Sequence, residues 1–398
     1  MSPLRLTRRG LIVSGAAAAS AGVIVSGCTG ARSDEAHAPW AKWNDPSIAG
    51  TPLALAAAGI LAANPHDTQP WLFHIGERSI EVFADTSRNL GAMDPMLREM
   101  HIGLGCAIEN MCLAATPNGF AAQVESIGGS LHDLRDRRGP AHAATIHLSQ
   151  TAAPAVSAPS YRAIPHRHTN RNPYDRARAL PVSWRDDLAG LAADERVRLF
   201  TFDHGRQRDG YDAAVVDATG AIIDDAPMIA DSDRWFRGTH AEIERYRSGP
   251  TFETAGLAPM TRLMAETIPL PASFKHRAWL DQTRDEQLAT APMTGLIAVR
   301  DLYDRPSALT AGRLWQRIHL SATLAGVALH PLNQPMEVVD RDRQLNRGDA
   351  WARRMAGLVG GAGWQPTFSF RAGISPRTAS ASPRRALADV LLANGEGV

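Results

Sequence analysis

Two stretches of this chain run through the same order of elements, and that repeat limits the fold more than any single residue does. Each has a helix, a strand, a helix, and then a Gly-terminated helix followed by a strand. The spacing predicts the first long helix over 95–115, with Pro117-Asn118-Gly119 to stop it. The second is predicted over 311–328, with Leu314, Ile318, Ala322 and Ala325 on one face and Gly326 near its end. Strands are predicted over 71–75, 79–84, 120–124 and 144–148, then over 197–202, 294–299 and 368–373. A Pro/Ala/Ser linker at 151–160 separates the stretches. The expectation is an α+β chain of two fused halves, 46–150 and 161–398, in which one chain mimics a two-subunit assembly. Residues 231–285, irregular and rich in Trp, Arg and Pro, read as a cap or lid.

The start of the chain reads as an export leader. Arg8-Arg9 precede an uncharged run over 11–25 that is short for a membrane span, and Val25-Ser26-Gly27-Cys28 resembles a lipobox. Residues 1–28 are therefore expected to be a twin-arginine lipoprotein signal, with 29–45 as a tether to a lipid-anchored envelope protein. A plain cleaved signal or an anchor helix is the alternative. The leader holds Arg5, Arg8 and Arg9 and no acid, so the net charge of +1 becomes −2 without it. A near-neutral chain does not point to nucleic acid. Besides Cys28 only Cys106 and Cys112 are present, six residues apart on one predicted helix, which argues against a disulfide framework.

Three clusters carry candidate chemistry. Asn64-Pro65-His66-Asp67-Thr68-Gln69-Pro70-Trp71 joins a helix to a strand as a Pro-fixed corner of short polar side chains. Arg167, Thr169 and Arg171 alternate, so in an extended segment they share a side; two guanidinium forks around a hydroxyl suit a phosphate, although a solvated basic loop is the bland alternative. Arg384-Arg385 follow a Ser/Pro-rich loop near the end. His101-Ile102-Gly103-Leu104-Gly105 lacks the third glycine of a dinucleotide loop and reads as helix packing. His66, His101, His166 and His168 lack metal-ligand spacing, so no metal is expected, and no Gly-x-Ser-x-Gly or Cys-x-x-Cys is present.

In this order the clusters resemble the nitroreductase family, and most closely its Acg-like branch of fused-half, FMN-binding proteins. The resemblance runs from about residue 50 to 392 and implies a nitroreductase-like fold, a pseudo-dimer with a lid, and one FMN. It gives the corner residues Pro65, His66, Asp67, Thr68 and Gln69 to flavin contact, and Arg167, Thr169, Arg171, Arg384 and Arg385 to the flavin phosphate. It places backbone N–H groups of Leu332 and Asn333 near flavin N5, with Gln334 beside them. The first half has the corner without the Arg clamp, and the second has the clamp without the corner. One complete pocket shared between the halves is the expectation, and such a chain would act as a monomer.

The resemblance implies an oxidoreductase whose FMN is reduced by NAD(P)H or another donor and reoxidised by a nitroaromatic, a quinone or another small acceptor. Asp67 stands where the family carries Asn. An ionised carboxylate only accepts hydrogen bonds and disfavours an anionic reduced flavin. With the lid, this motivates a second reading, a protein that holds or sequesters FMN without turnover. A third is a surface protein that kept the fold and lost the flavin.

Overall fold

Alternating apolar residues build two four-stranded sheets. The computed structural model describes residues 34–134, 136–151, 158–257 and 271–393. The leader 1–28, the first part of the tether, most of the linker and residues 258–270 of the cap lie outside the described residues. The first sheet holds β1 (Trp71–Ile75), β2 (Ser79–Asp85), β3 (Phe120–Ser126) and β4 (Pro140–Gln150) in the order β1-β2-β4-β3. The second holds β5 (Val197–Phe202), β6 (Met293–Val299), β7 (Ala328–Pro331) and β8 (Gln365–Gly373) in the order β5-β6-β8-β7. All these pairs are antiparallel, and β2 and β6 each carry a bulge, at Val82/Phe83 and Ile297/Ala298. The two orders are the same order taken twice.

The long helices repeat as closely. Arg98–Ala115 joins β2 to β3, and Arg305–Leu324 joins β6 to β7. They pack on each other where Gly105 meets Gly312, and the contact is reciprocal. A Cβ on Gly105 would lie 2.1 Å from the Leu309 carbonyl oxygen, and one on Gly312 would lie 1.9 Å from that of Ile102. Each pair of equivalent residues, 102 with 309 and 105 with 312, is 207 positions apart. So are Gly119 and Gly326, which end the two helical stretches at φ +81° and +68°. So too are Arg98 and Arg305, which reach across to opposite halves: Arg98 to the Met336 and Thr367 carbonyls, Arg305 to those of Gly128 and His142. The interface is also polar: the Gln316 side-chain amide donates to Asn110 Oδ1 at 2.7 Å, and Glu109 pairs with Arg313 and Arg317. One core spans both sheets, with Trp315 set against Phe368 and Phe370.

The halves differ most in one connection. β1 and β2 are joined by the tight turn Gly76-Glu77-Arg78, whereas β5 and β6 are separated by everything from Asp203 to Pro292. The expected irregular cap lies in this insertion, and its described part is largely helical: Ala226–Asp233, His240–Tyr246 and Ala272–Asp281, with a wider turn at Gln282–Leu288. Local caps start these short helices, Asp225 for the first and a Thr239/Glu242 capping box for the second.

Two further expectations change, and one helix is added. The second long helix ends at Leu324 rather than at 328, because Gly326 takes the left-handed turn and Ala328–Pro331 pairs with β8. Asn333-Gln334-Pro335 starts a helix, Gln334–Leu345, since Pro fits a first turn where no N–H is needed. The tether does not run to residue 45. Ala38–Lys42 is helical, and Ala36 and Trp40 are buried. The C-terminal tail crosses back to the first sheet, where the Leu392 N–H donates to the Phe73 carbonyl. Among the described residues no helix is long and apolar enough to cross a membrane.

Candidate functional site

The corner after the Pro52–Gly59 helix is held in unusual backbone geometry. His66, Asp67 and Gln69 have φ of 46°, 50° and 50°, a region that side chains with a Cβ rarely adopt. The surrounding bonds impose it: Asn64 Oδ1 accepts from the Gln69 N–H at 2.7 Å, and the Thr68 N–H donates to the Pro65 carbonyl at 2.9 Å. Strain kept in this way marks a functional position more often than a structural one. It turns His66 and Asp67 into a cleft whose opposite wall comes from the second half.

That wall is the extended segment after the turn Ile164–His166. It runs beside β7, where the Asn170 N–H donates to the Leu329 carbonyl at 2.9 Å. Arg167, Thr169 and Arg171 all line the cleft, and so does His168. Arg167 donates to the Leu61 carbonyl at 3.1 Å and meets His319 Nδ1 at 3.3 Å, and its Nε is buried without a partner. Arg171 donates to the Thr254 carbonyl at 3.0 Å. The third guanidinium is that of Arg384, which the returning tail brings in. It pairs with Asp67, donates to Ser382 Oγ at 2.6 Å, and also leaves its Nε without a partner.

Charge counting gives the cleft its character. Arg167, Arg171 and Arg384 are three cations against one carboxylate. Burial, then Arg384, lowers Arg167 to about 9; burial lowers Arg171 to about 10, and both stay charged at pH 7. Burial pushes the Asp67 carboxyl up to about 6, against the pull of Arg384, so it too is charged at pH 7. His66 and His168 are neutral there: burial, then Arg171, brings His66 to about 4, and burial, then Arg167, brings His168 to about 3. The cleft thus carries two positive charges in excess, with buried N–H donors unspent. A phosphate monoester, at about −1.5 to −2 near pH 7, matches that excess. Asp67 has a defined structural part as the counter-ion of Arg384, not as a bare carboxylate. The cavity measures about 50 Å³, so the cleft is small.

The other sequence-predicted residues lie elsewhere. Pro65 packs its ring against Gly103 of the first long helix. The Thr68 carbonyl accepts from Arg88 Nε, and its own hydroxyl is buried without a partner. Gln69 is an internal strut: its Oε1 accepts from the Arg385 N–H at 2.7 Å, and its Nε2 donates to the Arg247 carbonyl at 2.8 Å. The Arg385 guanidinium turns to the Asp389 and Gln69 carbonyls. The Leu332 N–H, expected to face a flavin, is spent on the Ser369 carbonyl at 3.0 Å. Pairing along β8 takes it, a partner that lies 37 positions later in the chain. The Asn333 side chain is tied to Glu99 and to the Ser369 N–H, and Gln334 is buried with its Oε1 unpartnered.

Those last two border a feature that sequence reading missed. Asp94, Glu99, Glu337 and Asp340 are buried around the single guanidinium of Arg98. Arg98 Nε donates to Asp340 at 2.8 Å and its NH2 to the Met336 carbonyl at 3.0 Å. Asp94 caps the first long helix by accepting from the Glu99 and Met100 N–H groups. Burial, then Asp340, raises Asp94 to about 6; burial, then Asp94, raises Glu99 to about 8; burial, then Glu99, raises Glu337 well above its usual range. Among the described residues no group of three or more His, Cys, Asp or Glu is placed to hold a metal ion.

No family model matches the chain. Curated relatives do. "Putative NAD(P)H nitroreductase Rv3131" of Mycobacterium tuberculosis (strain ATCC 25618 / H37Rv) is 26% identical over 347 residues, covering 86% of this chain and 90% of its own. "Putative NAD(P)H nitroreductase acg" of the same strain is 24% identical over 342 residues, covering 83% and 91%. The chain is thus similar over most of its length to nitroreductases of the Acg-like branch. Among solved structures, the FMN-dependent nitroreductase NfnB from Mycobacterium smegmatis, in complex with NADPH, aligns at 14% identity over 58% of this chain and 96% of its own, with a TM-score of 0.37. At that score the likeness carries no weight, and the fold rests on the two matching strand orders.

Proposed function

We propose that this protein binds FMN with its phosphate in the Arg167–Arg171–Arg384 cleft and passes electrons from NAD(P)H, or another donor, to a nitroaromatic, a quinone or another small acceptor. The observation that carries it is the buried excess of two positive charges, drawn from both halves, with Arg167 Nε and Arg384 Nε unspent. Those orphaned donors fit a phosphate. FMN would supply the hydride chemistry, which the protein only positions. Arg167, Arg171 and Arg384 would hold the phosphate, with Thr169 beside them. Asp67 keeps Arg384 aimed. The cap segment excludes water from the corner through its own backbone, since the Gly249 N–H donates to the Asp67 carbonyl at 3.1 Å.

That same cap supports the second reading, sequestration without turnover, because it closes on the corner and lines the cleft with Pro250 and Thr254. One experiment separates the two. Gently purified protein is expected to be yellow, and anaerobic NADPH or NADH to bleach it. Colourless protein rules out the FMN reading. Yellow protein that neither donor bleaches favours sequestration, and an Asp67→Asn variant that then gains reductase activity would place the block at that carboxylate.

The leader supports export of the folded chain by the twin-arginine route, with FMN loaded beforehand, and anchoring through lipid on Cys28. The wild type is then expected in the membrane fraction and a Cys28→Ser variant in the soluble one. Membrane retention of that variant would exclude the anchor. The fused halves support a monomer.

A further inference from the structure

The first described residues of the chain bear on the cleft from outside. The Arg384 N–H donates to the Ala36 carbonyl at 2.7 Å. Trp40 Nε1 donates to the Ser382 carbonyl at 2.8 Å, the Arg384 guanidinium lies 4.7 Å over the Trp40 ring, and the His168 ring meets its edge at 4.6 Å. Glu35 pairs with Arg247, whose carbonyl holds Gln69 of the corner. Residues 35–40 therefore touch three walls of the cleft at once: the clamp at His168, the tail at Ser382 and Arg384, and the cap at Arg247.

We propose that residues 34–43 form a latch that closes the cleft and sets how fast its ligand leaves. The cavity measures only about 50 Å³, so small shifts of the side chains that wall it decide how well a phosphate ligand is held. The clamp and the corner are rooted in the core: Arg167 is bonded to Leu61 and His319, and Pro65 is packed on Gly103. The latch is anchored at Trp40, which is buried in the core, and at Trp43, whose ring packs on Tyr161, and it is looser at Glu35. The Glu35 side chain is 62% exposed, so its ion pair with Arg247 is weak. The Glu35 end is therefore the part free to yield. Trp40 is thus a positioning residue, which sets Arg384 and His168 by packing on them.

The inference rests on the FMN reading, and its test keeps the two apart. FMN release from the full-length holoprotein is followed by the recovery of free-flavin fluorescence after dilution. Trp40→Ala is expected to release FMN on the order of tenfold faster, having lost a stacked cation and a hydrogen bond. Trp40→Phe keeps a ring face under Arg384 and is expected to stay within about threefold of wild type. Glu35→Arg, on an exposed side chain, reverses the pair with Arg247 and is expected to speed release by about threefold. Rescue by Phe separates positioning from a general loss of stability. Release at the wild-type rate from both Trp40→Ala and Glu35→Arg overturns the latch, and Glu35→Arg alone decides if Trp40→Ala fails to fold. Wild-type protein that holds no FMN overturns the FMN reading and the latch with it.

Discussion

Replacing Arg167 and Arg171 together with Ala is expected to strip FMN from the protein. Each guanidinium is buried and would make charged hydrogen bonds worth about 1.5–3 kcal/mol. Losing both weakens binding by roughly 10²–10⁴-fold, at about 1.4 kcal/mol for each tenfold. Arg171 is the cleaner single change, because among the described residues its side chain donates to the Thr254 carbonyl alone, whereas Arg167 also ties Leu61 to His319. Equilibrium dialysis of FMN against the wild type, the single variants and the double variant checks this, with circular dichroism to confirm folding. A double variant that keeps wild-type occupancy would show that the phosphate does not sit between these two side chains.

Replacing Arg98 with Met is expected to be the most destabilising single change, at about 3–5 kcal/mol near pH 8. The side chain is fully buried, and its loss leaves Asp340 with only the Tyr303 hydroxyl and strands four carboxyl groups without a cation. That is a large share of the roughly 5–15 kcal/mol that holds a domain together. The loss is expected to be smaller at pH 5.5. A carboxyl whose pKa is raised on folding, such as Glu99 at about 8 from 4.5, adds stability as the acid below 4.5 and loses it as pH climbs through about 8. At pH 5.5 the protonated Glu99 and Glu337 need no cation, so Arg98 matters less. Urea midpoints at both pH values test this. Equal losses at pH 5.5 and pH 8 would mean that the cluster is ionised throughout.

Much of this was legible before any coordinates. The strand at Trp71–Ile75, the alternation in Val197–Phe202 and the small-residue side of the first long helix are local patterns, and period and composition are enough to read them. The clamp was legible too, because alternation in an extended segment puts Arg167, Thr169 and Arg171 on one wall. His66 and Asp67 line the cleft, as the corner's polar residues suggest. Gln69 is bonded to the Arg385 backbone instead, and a buried amide is as useful there as against a ligand. Arg98 and Glu99 resembled the charged first turn of any surface helix, and their burial depends on Asp340 and Asn333, more than 230 positions later. Trp40 sat in a stretch whose small polar neighbours suggest a tether, and its partner Ser382 is 342 residues away.

The sequence by itself determined two copies of one α+β pattern, the Pro-fixed corner and the basic clamp, because these depend on neighbours a few residues apart. The family resemblance already implied a pocket shared by the corner and the clamp, but only the tertiary structure decided that Arg384 neutralises Asp67 between them. It also decided that residues 35–40 lie against that cleft. The reason is physical: the charge balance of a buried site is set by groups that share its volume. Here they come from positions 40, 67, 167 and 384, whose proximity no local pattern encodes.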